Sequence, residues 1–338
     1  MKLRITGRRL RALVPALTLA GCTGWQSAID VHGASAISLK QLIVLIMATC
    51  SVVWALVILA LIFALWRRRP VRESPLALDP GAQRRMTAAV AGAVVATVIV
   101  IAALTVFSFL TTRQLSVAGG DDLTIKVRGL QWWWGVEYFD SNPELRFETA
   151  NEIHIPVGRK VRLQLEGIDV IHSFWVPSLA GKQDLIPGRP NELTIRAERP
   201  GTYRGQCAEF CGLQHAHMAF FVIAEEQTAF DAWMRLQRDS AVASSDAEVT
   251  AGQQVFLSKP CAACHAIRGT TAIGRTGPDL THVGGRKYIA AGLFENTRGS
   301  LAAWIADPQT LKPGNNMPMV PLAAEELRSV SAYLASLK

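Results

Sequence analysis

The sequence predicts a multidomain chain with three folded parts: a two-helix transmembrane hairpin, an all-β sandwich and a small all-α domain. Three observations carry this reading. Two nearly uncharged apolar runs, residues 42–66 and 88–110, each exceed the roughly 20 residues needed to cross a hydrocarbon core. From Leu123 onward apolar and polar residues alternate strictly, with Pro-Gly turns between the runs, which is the pattern of short half-buried strands. Beyond residue 247 the apolar spacing becomes helical.

In chain order, residues 1–22 have a basic start, a short apolar run and small residues at its end, the three parts of a secretion signal. Leu19-Ala20-Gly21-Cys22 resembles the lipobox of bacterial lipoproteins, which makes Cys22 the candidate lipidation site. The hairpin is expected over residues 38–112. Its connecting segment, residues 67–85, holds six arginines against Glu73 and Asp79, so it should face the cytoplasm. Both ends of the chain then lie outside a bacterial cell membrane, the side that an export signal requires. Cys50, inside the first run, is expected to be a small packing residue.

The formal charge of +8 does not imply a nucleic-acid partner. Most of it sits in the basic start and in the arginine-bearing connection, and the remainder of the chain is close to neutral.

Residues 120–238 form the expected sandwich. Leu123, Ile125 and Val127 alternate with polar residues, as do Val161, Leu163 and Leu165, and Leu193 with Ile195. Many short alternating strands indicate an antiparallel Greek-key sandwich or barrel. An amphipathic helix over residues 227–238 closes it. Residues 239–247 are small and polar and are expected to be a flexible linker with a span of roughly 16 Å. Residues 248–338 make the helical domain. There Leu327, Val330, Leu334 and Leu337 line one face of the last helix, and Trp304 with Ile305 mark a shorter one before Asp307-Pro308.

The six cysteines do not have the spacing of a disulfide framework. Residues 207–218 read Cys-Ala-Glu-Phe-Cys-Gly-Leu-Gln-His-Ala-His-Met. Thiolates, imidazole and a thioether are the ligands copper prefers, and two thiolates on one turn can bridge two metal ions. A Cys207–Cys211 disulfide and a zinc site are the alternatives. Structural zinc seldom recruits a thioether. Two metals need a terminal imidazole each. His215 supplies one, and His154 and His172 are the upstream candidates for the other. In the helical domain, Cys261-Ala-Ala-Cys264-His265 is the attachment motif for c-type haem, with two thioether bonds and an axial histidine.

The loop at residues 207–218 resembles the binuclear copper (CuA) loop of cytochrome c oxidase subunit 2. Asp169-Val-Ile-His-Ser-Phe-Trp-Val-Pro177 resembles the family segment that supplies the second histidine, and Gln131-Trp132-Trp133-Trp134 resembles its aromatic stretch. The resemblance implies a cupredoxin-like sandwich in which Cys207 and Cys211 bridge two coppers. His172 and His215 cap them, and Met218 and the Glu209 carbonyl are weak outer ligands. His154 is then structural and His217 a surface residue. The Glu209 side chain would reach a magnesium ion at the border with subunit 1, and Trp132 would be where electrons come in. Residues 248–338, with Gly277-Pro278-Asp279-Leu280 after the haem motif, resemble a class I cytochrome c. Pro278 would accept a hydrogen bond from His265, and Met317 would be the sixth iron ligand, with Met319 as runner-up.

The whole chain is thus similar to subunit 2 of bacterial haem-copper oxidases with a fused cytochrome c. The implied role is to pass electrons from a soluble cytochrome c or another periplasmic donor, through haem and copper, to an oxygen-reducing subunit 1. That oxygen chemistry lies outside this chain, and subunit 3 and membrane lipid are the other implied partners. A nitric oxide reductase subunit and a non-catalytic membrane-anchored carrier are the alternatives. One departure from the family pattern is that residues 86–110 contain no carboxylate, where many members place a glutamate near a proton path.

Overall fold

Each apolar run becomes one uninterrupted helix, α1 (Ala34–Trp66) and α2 (Pro80–Leu115). The computed structural model describes residues 23–67, 80–115 and 123–338. The secretion signal, Cys22 and most of the arginine-bearing connection lie outside these residues. Both helices are longer than the apolar runs. Helix α2 starts on a proline, whose fixed φ suits the first helical turn, and takes in Arg84 and Arg85. At 1.5 Å per residue each helix extends about 50 Å, so its ends project past a hydrocarbon core of about 30 Å. Their side chains are largely exposed, as a lipid-facing surface requires. Thr97 and Thr105 donate to the carbonyls of Ala93 and Ile101, at 2.8 Å each, which satisfies their hydroxyls within the helix. Cys50 differs from expectation, since it is exposed on α1 and packs into no core.

The sandwich consists of two five-stranded sheets. The first has the order β3 (Phe147–Ala150), β2 (Trp133–Phe139), β1 (Thr124–Leu130), β5 (Val161–Gly167), β8 (Asn191–Ile195). The second has the order β4 (Glu152–Pro156), β10 (Ala219–Glu225), β9 (Gly201–Cys207), β6 (His172–Trp175), β7 (Gln183–Leu185). The alternation has the expected result: Ile125, Val127, Leu163 and Leu165 are buried, while Lys126 and Arg128 face outward and pair with Glu166 and Glu148. The pairing is not wholly antiparallel, because β1 pairs with β5 and β4 with β10 in parallel. The cause is a change of sheet at Asn151, which sits at φ 62° between β3 and β4. Its side-chain oxygen accepts the Trp134 N–H at 2.9 Å. With β4 carried into the second sheet, the chain returns to the first by a crossover and runs alongside β1. Helix α3 (Gln227–Arg238) closes the domain by burying Phe230 and stacking Trp233 on His154, with ring centroids 4.0 Å apart.

In the helical domain, α4 (Ala247–Ser258) crosses α8 (Ala324–Ser336) so closely that a Cβ at Gly252 would lie 2.0 Å from the Ser329 carbonyl oxygen. Phe256, Ile267, Val283, Leu301, Ile305, Val330, Tyr333, Leu334 and Leu337 form its core. Between those helices lie α5 (Cys261–Cys264), a two-stranded ribbon of β11 (Tyr288–Ile289) and β12 (Phe294–Glu295), α6 (Arg298–Ala306) and α7 (Pro308–Leu311).

The connection at residues 239–247 is tethered at both ends. The Ala241 N–H donates to Arg268, and Asp246 caps α4 through the N–H groups of Glu248 and Val249. Composition alone suggests a free linker. The contacts across the two domains hold it instead.

Candidate metal and haem centres

The 207–218 loop joins β9 to β10 across the end of the second sheet, and a hydrogen bond from Cys207 N–H to the Met218 carbonyl (3.0 Å) closes its base. Strand β6 pairs with β9 so that Phe174 lies opposite Cys207, which brings His172 beside the loop. His172 Nδ1 lies 3.8 Å from Cys207 Sγ, and the two sulfurs of Cys207 and Cys211 are 3.7 Å apart. That separation leaves both cysteines as free thiols. His215 Nδ1 and Met218 Sδ lie 3.6 and 3.8 Å from Cys211 Sγ, and the Glu209 carbonyl lies 3.2 Å from Cys207 Sγ. All six expected donors therefore converge. Among the described residues, His172, Cys207 and Cys211 are the one group of three or more His, Cys, Asp or Glu side chains arranged to hold a metal ion. Two soft sulfurs flanked by imidazoles fit copper.

The electrostatics suit the same purpose. The Cys207 thiol is held well below its ordinary range by the hydrogen bond with Cys211 and by His172 and backbone groups around it, despite burial. Cys211 is driven up by that neighbour. Burial acts to lower His172, but Cys207 and Asp169 outweigh it and raise the imidazole.

His172 and Cys211 are braced from outside. Asp169 accepts His172 Nε2 at 2.8 Å, which aims Nδ1 at the sulfurs, and it also accepts the N–H groups of Gln131 (2.6 Å) and Val170 (2.7 Å). The Cys211 carbonyl accepts both Gln131 Nε2 (2.7 Å) and Trp132 Nε1 (2.9 Å). Gly212 has φ 111°, and a Cβ there would meet Gln131 Nε2 at 3.0 Å and Trp132 Cζ2 at 3.1 Å, so glycine is required twice over. Beneath the loop Trp134 packs edge-on against His172, Phe174 and Phe220. Trp132 is also buried, under the residue 312–314 segment of the helical domain.

His154 lies away from this group, between Glu152 and Glu225. His217 hydrogen-bonds Gln214 at 2.9 Å, and the Glu209 carboxylate pairs with Lys182 on the surface.

In the helical domain the Cys261–Cys264 turn presents His265, whose Nδ1 lies 2.8 Å from the Pro278 carbonyl. Nε2 is thereby left as the free donor, the arrangement an axial haem ligand needs. Gly277 permits this, since a Cβ there would lie 2.6 Å from the imidazole. Arg286 is half-buried nearby, its Nε buried without a hydrogen-bond partner among the described residues, and it suits an anionic group beside His265. Met317 is half-buried and held at both backbone atoms, by Asn315 and Gln309, whereas Met319 is 60% exposed.

Sequence reasoning missed Asp169, Gln131, Glu152, Lys312 and Arg286. Only Asp169 carried a usable signal, as an acid three residues before a candidate ligand histidine.

Residues 142–225 match the family described as cytochrome c oxidase subunit II, periplasmic domain, and residues 249–338 match cytochrome c. Cytochrome c oxidase subunit 2 of Alkalihalophilus pseudofirmus is 36% identical over 330 residues, covering 95% of this chain and 94% of the relative. The Bacillus sp. strain PS3 protein of the same name is 32% identical, covering 70% and 68%. Among solved structures, the periplasmic domain of oxidase subunit II (CoxB) from Bradyrhizobium japonicum is 34% identical, covers 36% of this chain and 96% of that one, and has a TM-score of 0.33. Membership implies copper in the sandwich, haem in the helical domain, other oxidase subunits as partners, and a membrane anchor for periplasmic domains. From its folds, its converging donors and a relative matched along nearly its whole length, the chain belongs to the cytochrome c oxidase subunit 2 family, and so to an oxidoreductase.

Proposed function

We propose that this chain is the electron-input subunit of a proton-translocating terminal oxidase that reduces oxygen to water. Two coppers held by His172, Cys207, Glu209, Cys211, His215 and Met218, with one haem c on Cys261, Cys264, His265 and Met317, would supply the one-electron chemistry between an external donor and the haem-copper subunit 1. The observation that carries this reading is the convergence of six soft or weak donors at one end of a rigid sandwich. Rigidity serves electron transfer, because a ligand set that does not rearrange adds little barrier when the charge changes.

The chain's residues divide the work. Asp169 holds the His172 tautomer and ring orientation. Gln131 and Trp132, bonded to the Cys211 carbonyl, tie the aromatic stretch to the loop, and Trp132 is the proposed point where electrons come in. Pro278 orients His265, and the half-buried Arg286 would offer a positive charge to an anionic edge of the haem. The Glu209 carboxylate, exposed and paired with Lys182, is the proposed magnesium contact at the border with subunit 1. The outer face of the cell's inner membrane, subunits 1 and 3 and lipid are the proposed setting.

The test is spectroscopy and turnover of the purified complex. A c-type haem band, a mixed-valence copper signal and oxygen uptake are expected together. Deleting residues 245–338 should slow turnover unless external cytochrome c is added. A complex without copper would overturn the reading.

A further inference from the structure

We propose that Lys312 is a positioning residue that fixes the cytochrome c domain in one orientation, with its methionine-bearing loop closed over Trp132; this rests on the electron-input reading above. The Lys312 side chain is 3% exposed, and its amine makes three hydrogen bonds, to the carbonyls of Trp132 (2.7 Å), His217 (2.8 Å) and Ala290 (3.2 Å). The first two belong to the copper domain and the third to the cytochrome. The protonated ammonium has three donors, and all three are used, with no carboxylate among the partners. Burying such a group favours only the arrangement that satisfies every donor, because any rotation or slip of one domain on the other leaves a polar group without water or partner. Lys312 therefore selects an orientation more than it adds adhesion.

The surrounding contacts extend the same seat. Gln214 Nε2 donates to the Pro313 carbonyl at 2.8 Å, and a Cβ on Gly314 would lie 3.6 Å from Trp132 Cη2. On a second patch, the buried Glu152 carboxylate of the sandwich accepts the N–H groups of Lys287 (2.6 Å) and Tyr288 (3.1 Å), and Phe221 stacks on Tyr288 at 4.0 Å. The patches meet at Ala291, whose carbonyl accepts the Ala219 N–H at 3.0 Å, so one extended seat resists rotation. From Lys312 the chain reaches Met317 through a segment braced on itself. Asn315 donates to the carbonyls of Lys312 (2.7 Å) and Pro308 (2.8 Å) and accepts the Met317 N–H (2.8 Å), while Gln309 donates to the carbonyls of Asn315 and Met317. The lysine thus sets the position of the methionine loop relative to Trp132. A consequence follows for donors: the rim of Trp132 is taken by the chain's own cytochrome, so an external donor meets that domain and not the tryptophan.

The test is Lys312→Met in the assembled oxidase, which keeps the apolar stem and removes the amine. With haem and copper content unchanged, amide hydrogen exchange over residues 311–317 should accelerate by roughly tenfold. Transfer between haem and copper should slow by about tenfold or more, as small misplacements do, while transfer from a soluble donor to the haem stays constant. Unchanged exchange and unchanged internal transfer in the loaded variant would overturn the proposal. Should that variant lose a cofactor, Gln214→Leu provides the second reading: a smaller shift in the same direction supports the proposal, and no shift overturns it. The exchange experiment needs no electron transfer. A failed electron-input reading would show instead as missing copper or haem in the wild-type complex, so the two failures are distinguishable.

Discussion

The proposed copper loop and haem motif place soft ligands by different physical means. In the sandwich, five of the six donors come from one twelve-residue loop that a β-hairpin closes, and the sixth comes from the neighbouring strand. Two of these donors are held by further contacts, Asp169 and the aromatic floor of Trp134 behind His172, and Gln131 and Trp132 on the Cys211 carbonyl. In the helical domain the proposed ligands are dispersed. Cys261, Cys264 and His265 lie on one turn and Met317 on a distant loop, and Pro278 is the brace on His265. The difference follows from the cofactors. Bare metal ions need a cage that the protein builds, whereas a haem brings its own planar ligand and is attached covalently, so the protein has to supply only axial donors and a surrounding core.

This contrast can be broken most severely at Cys207. Cys207→Ser should abolish the mixed-valence copper signal and haem-to-copper transfer while leaving the haem content intact, read by metal analysis and optical spectra of one sample. Retention of a binuclear signal would show that one thiolate suffices and that the cage is not built as described. A milder change sharpens the role of bracing. Asp169→Asn keeps every ligand but loses the charged partner of His172, and copper affinity should fall by about 10–100-fold, measured by competition with a chelator. Haem content should not respond.

The smallest effect tests a histidine outside both centres. Burial acts to lower His154, but the hydrogen bonds and charges of Glu152 and Glu225 outweigh it, so the imidazole is raised above its ordinary 6.5. Glu225 is lowered from 4.5, His154 being the main cause. The raised histidine adds stability that is complete below pH 6.5 and disappears as pH rises through its folded value. The lowered glutamate adds stability that is present above pH 4.5 and disappears as pH falls through its folded value. The pair therefore contributes most between these limits, by about 0.5–1.5 kcal/mol. His154→Gln should lower the melting temperature most near pH 5–6 and least in alkaline buffer. A deficit that grows with pH would contradict the assignment.

Much of the molecule was legible in the sequence because the signals are local. Helix α3 spans the residues its amphipathic pattern indicates, and the alternation at Ile125 and Val127 places those side chains in the core. Asn151 was not legible as a change of sheet, and the two parallel pairings followed from it. Composition likewise made residues 239–247 a free tether, because a small polar segment carries no mark of what its ends will touch.

The sequence by itself determined the chemistry. Cysteine, histidine and methionine at fixed spacing select a metal through ligand type, and a hairpin loop holds most of them together wherever it is placed. Only the tertiary structure decided how the centres are joined. Lys312 and Trp132, like Glu152 and Tyr288, are remote from one another in the chain, and their pairing comes from polar groups of one domain meeting those of another. A buried donor has to find an acceptor, and which acceptor it finds depends on how two finished surfaces fit.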